Sequence, residues 1–120
     1  MHADIHILVV DDEEIMRNLF TDILREEDYA VTVVCHGKEA QEQVKDKFFD
    51  IAFVDVHMPV MDGIKTLNML RQISPKTAVV MMDSMPSTLL EEFEGAVTCI
   101  HKPFNIKEVR SAIGEIIKKD

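Results

Sequence analysis

Residues 7–12 read ILVVDD, an apolar run that stops at two adjacent carboxylates. The pattern returns in residues 51–55, IAFVD, and Lys102 directly follows a third run, residues 97–101. Short runs of this kind are typical of strands in a parallel sheet that is covered on both faces. Because the carboxyl ends of neighbouring parallel strands lie side by side in an open α/β sheet, we expect these acidic groups and the lysine to meet in one cleft.

Stretches with apolar residues at helical spacing separate the runs, and turn-forming residues mark their ends. The predicted strands cover residues 5–10, 31–35, 51–54, 77–82 and 96–100. Predicted helices begin after the acidic turn, at Gly37, after Asp62, at Pro86 (ending at Glu94) and after the N-cap Asn105. Apolar residues predicted to face inward from the helices include Ile15, Leu19, Phe48, Ile64, Ile73 and Ile106.

Five strands that alternate with five helices predict an α/β fold. The expected arrangement is a flavodoxin-like, doubly wound (βα)5 fold with a five-stranded parallel sheet in the order 2-1-3-4-5. A length of 120 residues fits one domain, residues 1–120, with a packed core. Strands one and three are neighbours in this order, so the carboxylates that follow them would line a single cleft.

The charge balance limits the partners of the domain. Twenty-two acidic residues against 13 basic ones give a formal charge of −9, and such a surface repels phosphate backbones and anionic lipids. We therefore expect no direct binding of nucleic acid by this domain and no membrane association. The two cysteines are expected to be reduced, and the sequence has neither a secretory signal nor an apolar stretch of membrane-spanning length. These features favour a cytoplasmic protein.

The chemistry of the predicted cleft follows from its charges. Asp11, Asp12 or Asp55 alone could be no more than a turn former or a helix cap. Three carboxylates held together either raise the pKa of one of them or bind a cation, and hard oxygen ligands favour Mg²⁺. The Lys102 ammonium adds a point charge suited to a phosphate oxygen. A carboxylate in this setting can itself act as a nucleophile and form an acyl phosphate.

Three stretches carry a resemblance to a known family. They are residues 7–13 (ILVVDDE), 55–63 (DVHMPVMDG) and 102–104 (KPF). In this combination the chain resembles, over essentially its whole length, the receiver domains of two-component response regulators, chemotaxis regulators included. The pattern D-x-x-M-P-x-x-D-G after an apolar strand is the most specific of the three.

The resemblance implies a role for each residue of the cleft. Asp55 would be the phosphoacceptor, taking a phosphoryl group from a histidine kinase or a phosphotransfer protein. Mg²⁺ would be bound by Asp12, Asp55 and the backbone carbonyl of His57. Asp11 would act on the metal largely through a water, and Lys102 would contact the phosphoryl group. We therefore expect a signalling protein and not an enzyme.

The resemblance also implies features outside the cleft. The Lys102-Pro103 peptide would be cis, as only X-Pro bonds readily are. Phosphorylation would switch a partner-binding surface formed by the fourth helix, the fifth strand and the last helix. An effector domain or a separate partner protein would receive the signal.

Two switch positions depart from the family pattern. The family ends its fourth strand in Thr or Ser, whereas this chain has Asp83, with Ser84 one place later. The aromatic switch residue of the family falls on Cys99. An ionised Asp83 facing a phosphoryl group would repel it, unless it points away or Ser84 substitutes for the hydroxyl. We interpret these departures as altered or weakened switching.

Three other classes of protein share parts of this pattern. A pseudo-receiver, an interaction module that is not controlled by phosphorylation, would also explain Asp83 and Cys99. An enzyme with an aspartyl-phosphate intermediate, such as a dehalogenase-like phosphatase, typically needs a D-x-D pattern on the first strand, which the adjacent pair Asp11-Asp12 does not provide. A flavodoxin needs hydroxyl and glycine donors after the first strand, where this chain reads DDEE.

Overall fold

The structure is a computed structural model that describes residues 4–58, 61–83 and 93–118. One parallel sheet, ordered β2-β1-β3-β4-β5, forms its centre and confirms the predicted fold. The strands are β1 (His6–Val10), β2 (Ala30–Val34), β3 (Ile51–Asp55), β4 (Ala78–Asp83) and β5 (Thr98–His101). The helices are α1 (Glu14–Glu26), α2 (Gly37–Asp46), α3 (Gly63–Ile73) and α4 (Ile106–Lys118). The helix predicted from Pro86 to Glu94 falls almost wholly outside the described residues.

The sheet divides the core into two layers, because alternate residues of a strand point to opposite faces. On one face, Leu8 of β1 and Val54 of β3 pack with the buried residues of α2 and α3. On the other face, Val9 and Phe53 pack with those of α1 and α4. Every residue of β3 is buried, as expected for a central strand covered on both sides.

The strand register sets the position of the cleft. Val10 of β1 lies opposite Val54 of β3, so the residues that follow them leave the sheet at the same level. Asp55 in turn lies opposite Met82 of β4. The acidic residues after β1 and β3 therefore meet at one edge of the sheet, next to the end of β4.

Side-chain caps mark the start of α3 and α4. Asp62 Oδ1 accepts a hydrogen bond from the Lys65 backbone N–H at 2.9 Å and caps α3. Asn105 Oδ1 accepts from the Glu108 N–H at 2.9 Å, so the cap predicted for the last helix is confirmed. Each such bond satisfies a backbone donor that the helix itself leaves unpaired.

The predicted inner faces of the helices were wrong at their margins. Ile15 is 81% exposed, and Leu19, Ile64, Ile73 and Ile106 are also exposed. A helix lying on a sheet buries a narrow stripe, and these residues flank it. Phe48 is exposed as well, while Phe49 is fully buried. The reason is that α2 ends at Asp46. In the extended segment that follows, successive side chains point to opposite sides.

The peptide between Lys102 and Pro103 is cis, as the family resemblance implied. Among the described residues, no helix has the length and apolar character needed to cross a membrane.

Candidate functional site

Three carboxylates converge at the carboxyl edge of the sheet. Asp11 and Asp12 follow β1, Asp55 is the last residue of β3, and each offers an oxygen within 4.8 Å of the others. Asp11 and Asp55 are buried, while Asp12 is exposed. The structure thus brings together the acidic residues that the sequence predicted would meet, and it places one of them in contact with solvent.

Lys102 supplies the opposing charge. Its ammonium Nζ lies 2.9 Å from Asp11 Oδ2 and 3.5 Å from Asp55 Oδ2, with the side chain only 14% exposed. Burial by itself would lower the pKa of Lys102, but the hydrogen bond to Asp11 and the charge of Asp55 outweigh it and the pKa is raised. Lys102 therefore stays cationic between two buried carboxylates.

Sequence reasoning missed one partner of this lysine. Glu13 Oε1 lies 3.3 Å from Lys102 Nζ, and the Glu13 backbone N–H donates to Asp11 Oδ1 at 2.9 Å. Glu13 also directly follows the two aspartates in the sequence, so its position was the available signal. It extends the acidic cluster toward solvent.

The electrostatics single out Asp55. Burial, followed by the charge of Asp11, raises the pKa of Asp55 to about 7, and the Lys102 ammonium opposes this rise. The raised pKa is one of the two outcomes that sequence reasoning left open for three adjacent carboxylates. A divalent cation would favour the ionised form of the same group. Three carboxylates with hard oxygen donors form a set that fits Mg²⁺.

The backbone beneath Asp55 leaves no room for a larger residue at position 63. A Cβ on Gly63 would collide with the Asp55 carbonyl oxygen and with Val56 Cα. The Gly63 N–H donates to the Val56 carbonyl at 2.9 Å, which draws the start of α3 against the loop. This loop includes His57, whose backbone N–H donates to Asp55 Oδ1 at 3.3 Å.

At the end of β4, Asp83 is buried and bonds to His57. Its Oδ1 lies 3.1 Å from His57 Nε2, and its backbone carbonyl accepts a hydrogen bond from the Lys102 N–H at 2.6 Å. The His57 side chain is 58% exposed, in contrast to its buried partner. Sequence reasoning missed this pair because residues 26 apart gave no spacing that would link them. Ser84, the alternative hydroxyl, lies outside the described residues.

Cys99 on β5 is half-buried and packs against the core layer that contains α2 and α3. Burial, together with the charge of Asp83, raises the pKa of its thiol to about 11. The residue at the aromatic switch position is therefore a small, neutral thiol near Asp83.

A second group of potential ligands lies where β2 meets α2. Cys35, His36 and Glu39 each offer an atom within 4.8 Å of the others. Their hydrogen bonds already engage them: the Cys35 thiol donates to Glu39 Oε1 at 2.7 Å, and His36 Nδ1 accepts from the Glu39 N–H. The lone pair of His36 Nδ1 is thus already used within the chain. We interpret the group as a helix cap.

The comparison with known families agrees with this geometry. Residues 7–114 match the response regulator receiver domain. The chain therefore belongs to the receiver domain family of response regulators, the class of protein that serves two-component signalling.

Particular relatives cover the chain almost completely. It is 33% identical over 115 residues to the chemotaxis protein CheY of Bacillus subtilis, which covers 92% of this chain and 96% of that protein. It is also 33% identical over 115 residues to the transcriptional regulatory protein ZraR of Escherichia coli (strain K12), covering 93% of this chain. The chain spans only 26% of the length of that ZraR.

Solved receiver structures superpose closely. The CheY-like receiver domain protein of Methanospirillum hungatei has a TM-score of 0.89 at 26% identity and covers 96% of this chain and 94% of that one. TrrA of Thermotoga maritima, solved in complex with Mg²⁺-BeF, has a TM-score of 0.82 at 25% identity and covers 93% of this chain and 98% of that one.

Proposed function

We propose that this receiver domain accepts a phosphoryl group on Asp55 from the phosphohistidine of a histidine kinase or phosphotransfer protein. The observation that carries the proposal is the setting of the Asp55 carboxylate. It ends a buried strand, lies 3.5 Å from the Lys102 ammonium and is grouped with Asp11 and Asp12. A nucleophile, a cationic contact and a cation-binding set therefore occupy one cleft.

The transfer involves the Asp55 carboxylate, the phosphohistidine of the donor protein and one proton from solvent. A carboxylate oxygen of Asp55 attacks phosphorus, the N–P bond of the phosphohistidine breaks, and the leaving imidazole retains the bonding pair and takes up the proton. The product is a mixed anhydride on Asp55. Attack requires ionised Asp55, and a pKa of about 7 leaves a substantial share of the carboxylate ionised at neutral pH. Lys102 then offers its ammonium to the phosphoryl oxygens.

Asp12, Asp55 and the His57 backbone carbonyl would hold Mg²⁺, with Asp11 acting largely through a water. The bound cation supplies charge neutralisation between the acceptor carboxylate and the incoming phosphoryl group. The acidic donor set supports this assignment, as does the Mg²⁺-BeF complex of TrrA.

The output surface is proposed to be the face formed by β5 and α4 together with the segment before β5. A groove of about 410 Å³ runs between β5 and α4 and is lined by Cys99, His101 and Ser111 among others. Relatives such as ZraR carry the receiver in a longer protein, which favours an effector domain or a partner protein as the recipient of the signal.

Intact mass spectrometry with a small phosphodonor and Mg²⁺ tests the proposal. Wild type is expected to gain a single phosphoryl group and Asp55→Asn none. Asp50→Asn is the matched control, because Asp50 directly precedes the same strand at its opposite end, where it accepts from the His6 N–H. Asp50→Asn should gain the phosphoryl group as wild type does. A phosphoryl group on Asp55→Asn, or none on wild type, would overturn the proposal.

The pseudo-receiver is the second candidate, and one observation favours it. Asp83 stands where the family has a hydroxyl, and its carboxylate is bonded to His57. A wild-type protein that binds its partner equally well before and after treatment with phosphodonor would establish this second function.

A further inference from the structure

Four residues form a closed circuit of contacts around the acceptor. The His57 N–H donates to Asp55 Oδ1, and the His57 ring bonds to Asp83 Oδ1. The Asp83 backbone carbonyl accepts from the Lys102 N–H, and Lys102 Nζ forms an ion pair with Asp55 Oδ2. The circuit joins the ends of β3, β4 and β5. Asp55 is therefore connected to the ends of β4 and β5 by hydrogen bonds and an ion pair.

The two sides of the histidine–aspartate bond differ in their freedom to move. Asp83 is 1% exposed, whereas the His57 side chain is 58% exposed. An exposed ring changes rotamer within nanoseconds, while a buried carboxylate is confined by packing. His57 is therefore the member of the pair that can leave, and its departure alters the contacts of a buried carboxyl group at the end of β4.

A phosphoryl group on Asp55 competes for the same imidazole. It adds three strong acceptor oxygens and negative charge two residues from His57. Hydrogen bonds to such charged oxygens are stronger than those to neutral acceptors. The Asp83 carboxyl group and the phosphoryl group then compete for the imidazole, and the phosphoryl group is present only after phosphorylation.

We propose that the His57 imidazole reads the phosphorylation state of Asp55 by exchanging its bond to Asp83 for a bond to the phosphoryl group. Asp83 is the positioning residue that holds the ring in the unphosphorylated state. In the family pattern, a Thr or Ser hydroxyl at the end of the fourth strand would contact the phosphoryl group. This chain has Asp83 at that position, and the exchange of the His57 bond takes the place of the hydroxyl contact. This inference rests on the proposed function, since it requires a phosphoryl group on Asp55.

The test uses NMR to follow the backbone amide and imidazole ¹⁵N shifts. Beryllofluoride, which mimics a phosphoryl group, is added together with Mg²⁺ until the site is fully occupied. In wild type, the His57 Nε2 resonance and the amides of Asp83 and Cys99 are expected to shift together. Cys99 serves as the reporter on β5 because Lys102 is itself placed in contact with the phosphoryl group. Asp83→Ala should abolish the coupled shift at Cys99. Asp83→Asn retains a side-chain oxygen for His57 and should restore it.

Variants at two histidines separate a specific exchange from a general loss of packing. His57→Phe keeps an aromatic ring without nitrogen and should lose the response at Asp83 and Cys99. His6→Phe is the matched control, because the His6 ring also bonds through Nε2 to a side chain, Thr32 Oγ1 at 2.9 Å, and His6 begins β1 at the edge of the sheet opposite the cleft. It should respond as wild type does.

The outcomes separate this inference from the proposed function. If wild type takes up no phosphoryl group by intact mass, the proposed function has failed. If it does, yet the His57 Nε2 shift is unchanged at full occupancy, the exchange does not occur and this inference is wrong. A full response of the amides of residue 83 and Cys99 in both Asp83→Ala and His57→Phe would also overturn it.

Discussion

The carboxyl edge of the sheet has two halves that differ in kind. The half formed by β1 and β3 carries Asp11, Asp12 and Asp55, the acidic set that the receiver family pattern requires. The half formed by β4 and β5 carries Asp83 and Cys99 where that pattern has a hydroxyl and an aromatic ring. In the proposed function, acceptance of phosphate and transmission of the signal use separate strands, so one can follow the family pattern while the other departs from it.

The largest expected effect tests the charge balance on the first half. Lys102→Met leaves two buried carboxylates without their counter-charge and should destabilise the metal-free protein by about 3 kcal/mol. Urea unfolding in the presence of a chelator measures the loss. Lys107→Met, at an exposed residue of α4, is the control and should change stability little. Equal midpoints for the two variants would show that the buried carboxylates do not need Lys102.

A pH series on Asp55→Asn should give the next largest effect. Between the ordinary pKa of 3.8 and the folded value of about 7, the folded protein holds more protons than the unfolded chain. Stability of the metal-free wild type should therefore fall as pH rises through this window. Asp55→Asn should lack this component and exceed wild type above pH 7 by roughly 1–2 kcal/mol, a figure reduced for solvent screening.

Thermal unfolding between pH 4 and pH 8 measures this difference, and Mg²⁺ should restore the stability of wild type at the alkaline end. A parallel pH dependence in the two proteins would assign the raised pKa to another group.

The metal ligands provide a smaller effect within the same half. Asp12→Ala should weaken Mg²⁺ binding by about tenfold or more, equivalent to ~1.4 kcal/mol, because Asp12 is expected to be a direct ligand. Asp11→Ala should weaken it less, because Asp11 is expected to act through a water. Titration calorimetry compares the three proteins. An unchanged affinity in Asp12→Ala would contradict the assignment.

The smallest expected effect lies in the second half. Asp83→Thr replaces a carboxylate with a hydroxyl that can donate to the phosphoryl group, so we expect a phosphoryl lifetime longer by a few-fold, equivalent to about 1 kcal/mol or less. Larger changes in the amide shifts of the face formed by β5 and α4 on addition of beryllofluoride would lead to the same conclusion. Decay of the phosphorylated mass over time gives the lifetime. If neither quantity changes, Asp83 does not limit the switch.

The difference between the halves also explains what the sequence could predict. The strands and helices follow from the spacing of apolar residues, and the order 2-1-3-4-5 is that of the flavodoxin-like doubly wound fold. The meeting of Asp11 and Asp55 then follows from the geometry of a parallel sheet, without knowledge of side-chain rotamers. The bond between His57 and Asp83 depends on the register of two strands and on the rotamers of two side chains. The exposure of Ile15 depends on how α1 is rotated against the sheet, and that of Phe48 on where α2 ends.

The two-layer core described above has a consequence for how the domain can evolve. The sheet is a partition one chain thick, and neighbouring residues of a strand such as Phe53 and Val54 belong to different compartments. A change of volume on one side is relieved by the helices that the structure describes on that side, α2 and α3 or α1 and α4. When one substitution is made on each side of the sheet, their effects on the free energy of unfolding should therefore nearly add. Each compartment can drift in sequence on its own while the cleft at the edge of the partition keeps its shape.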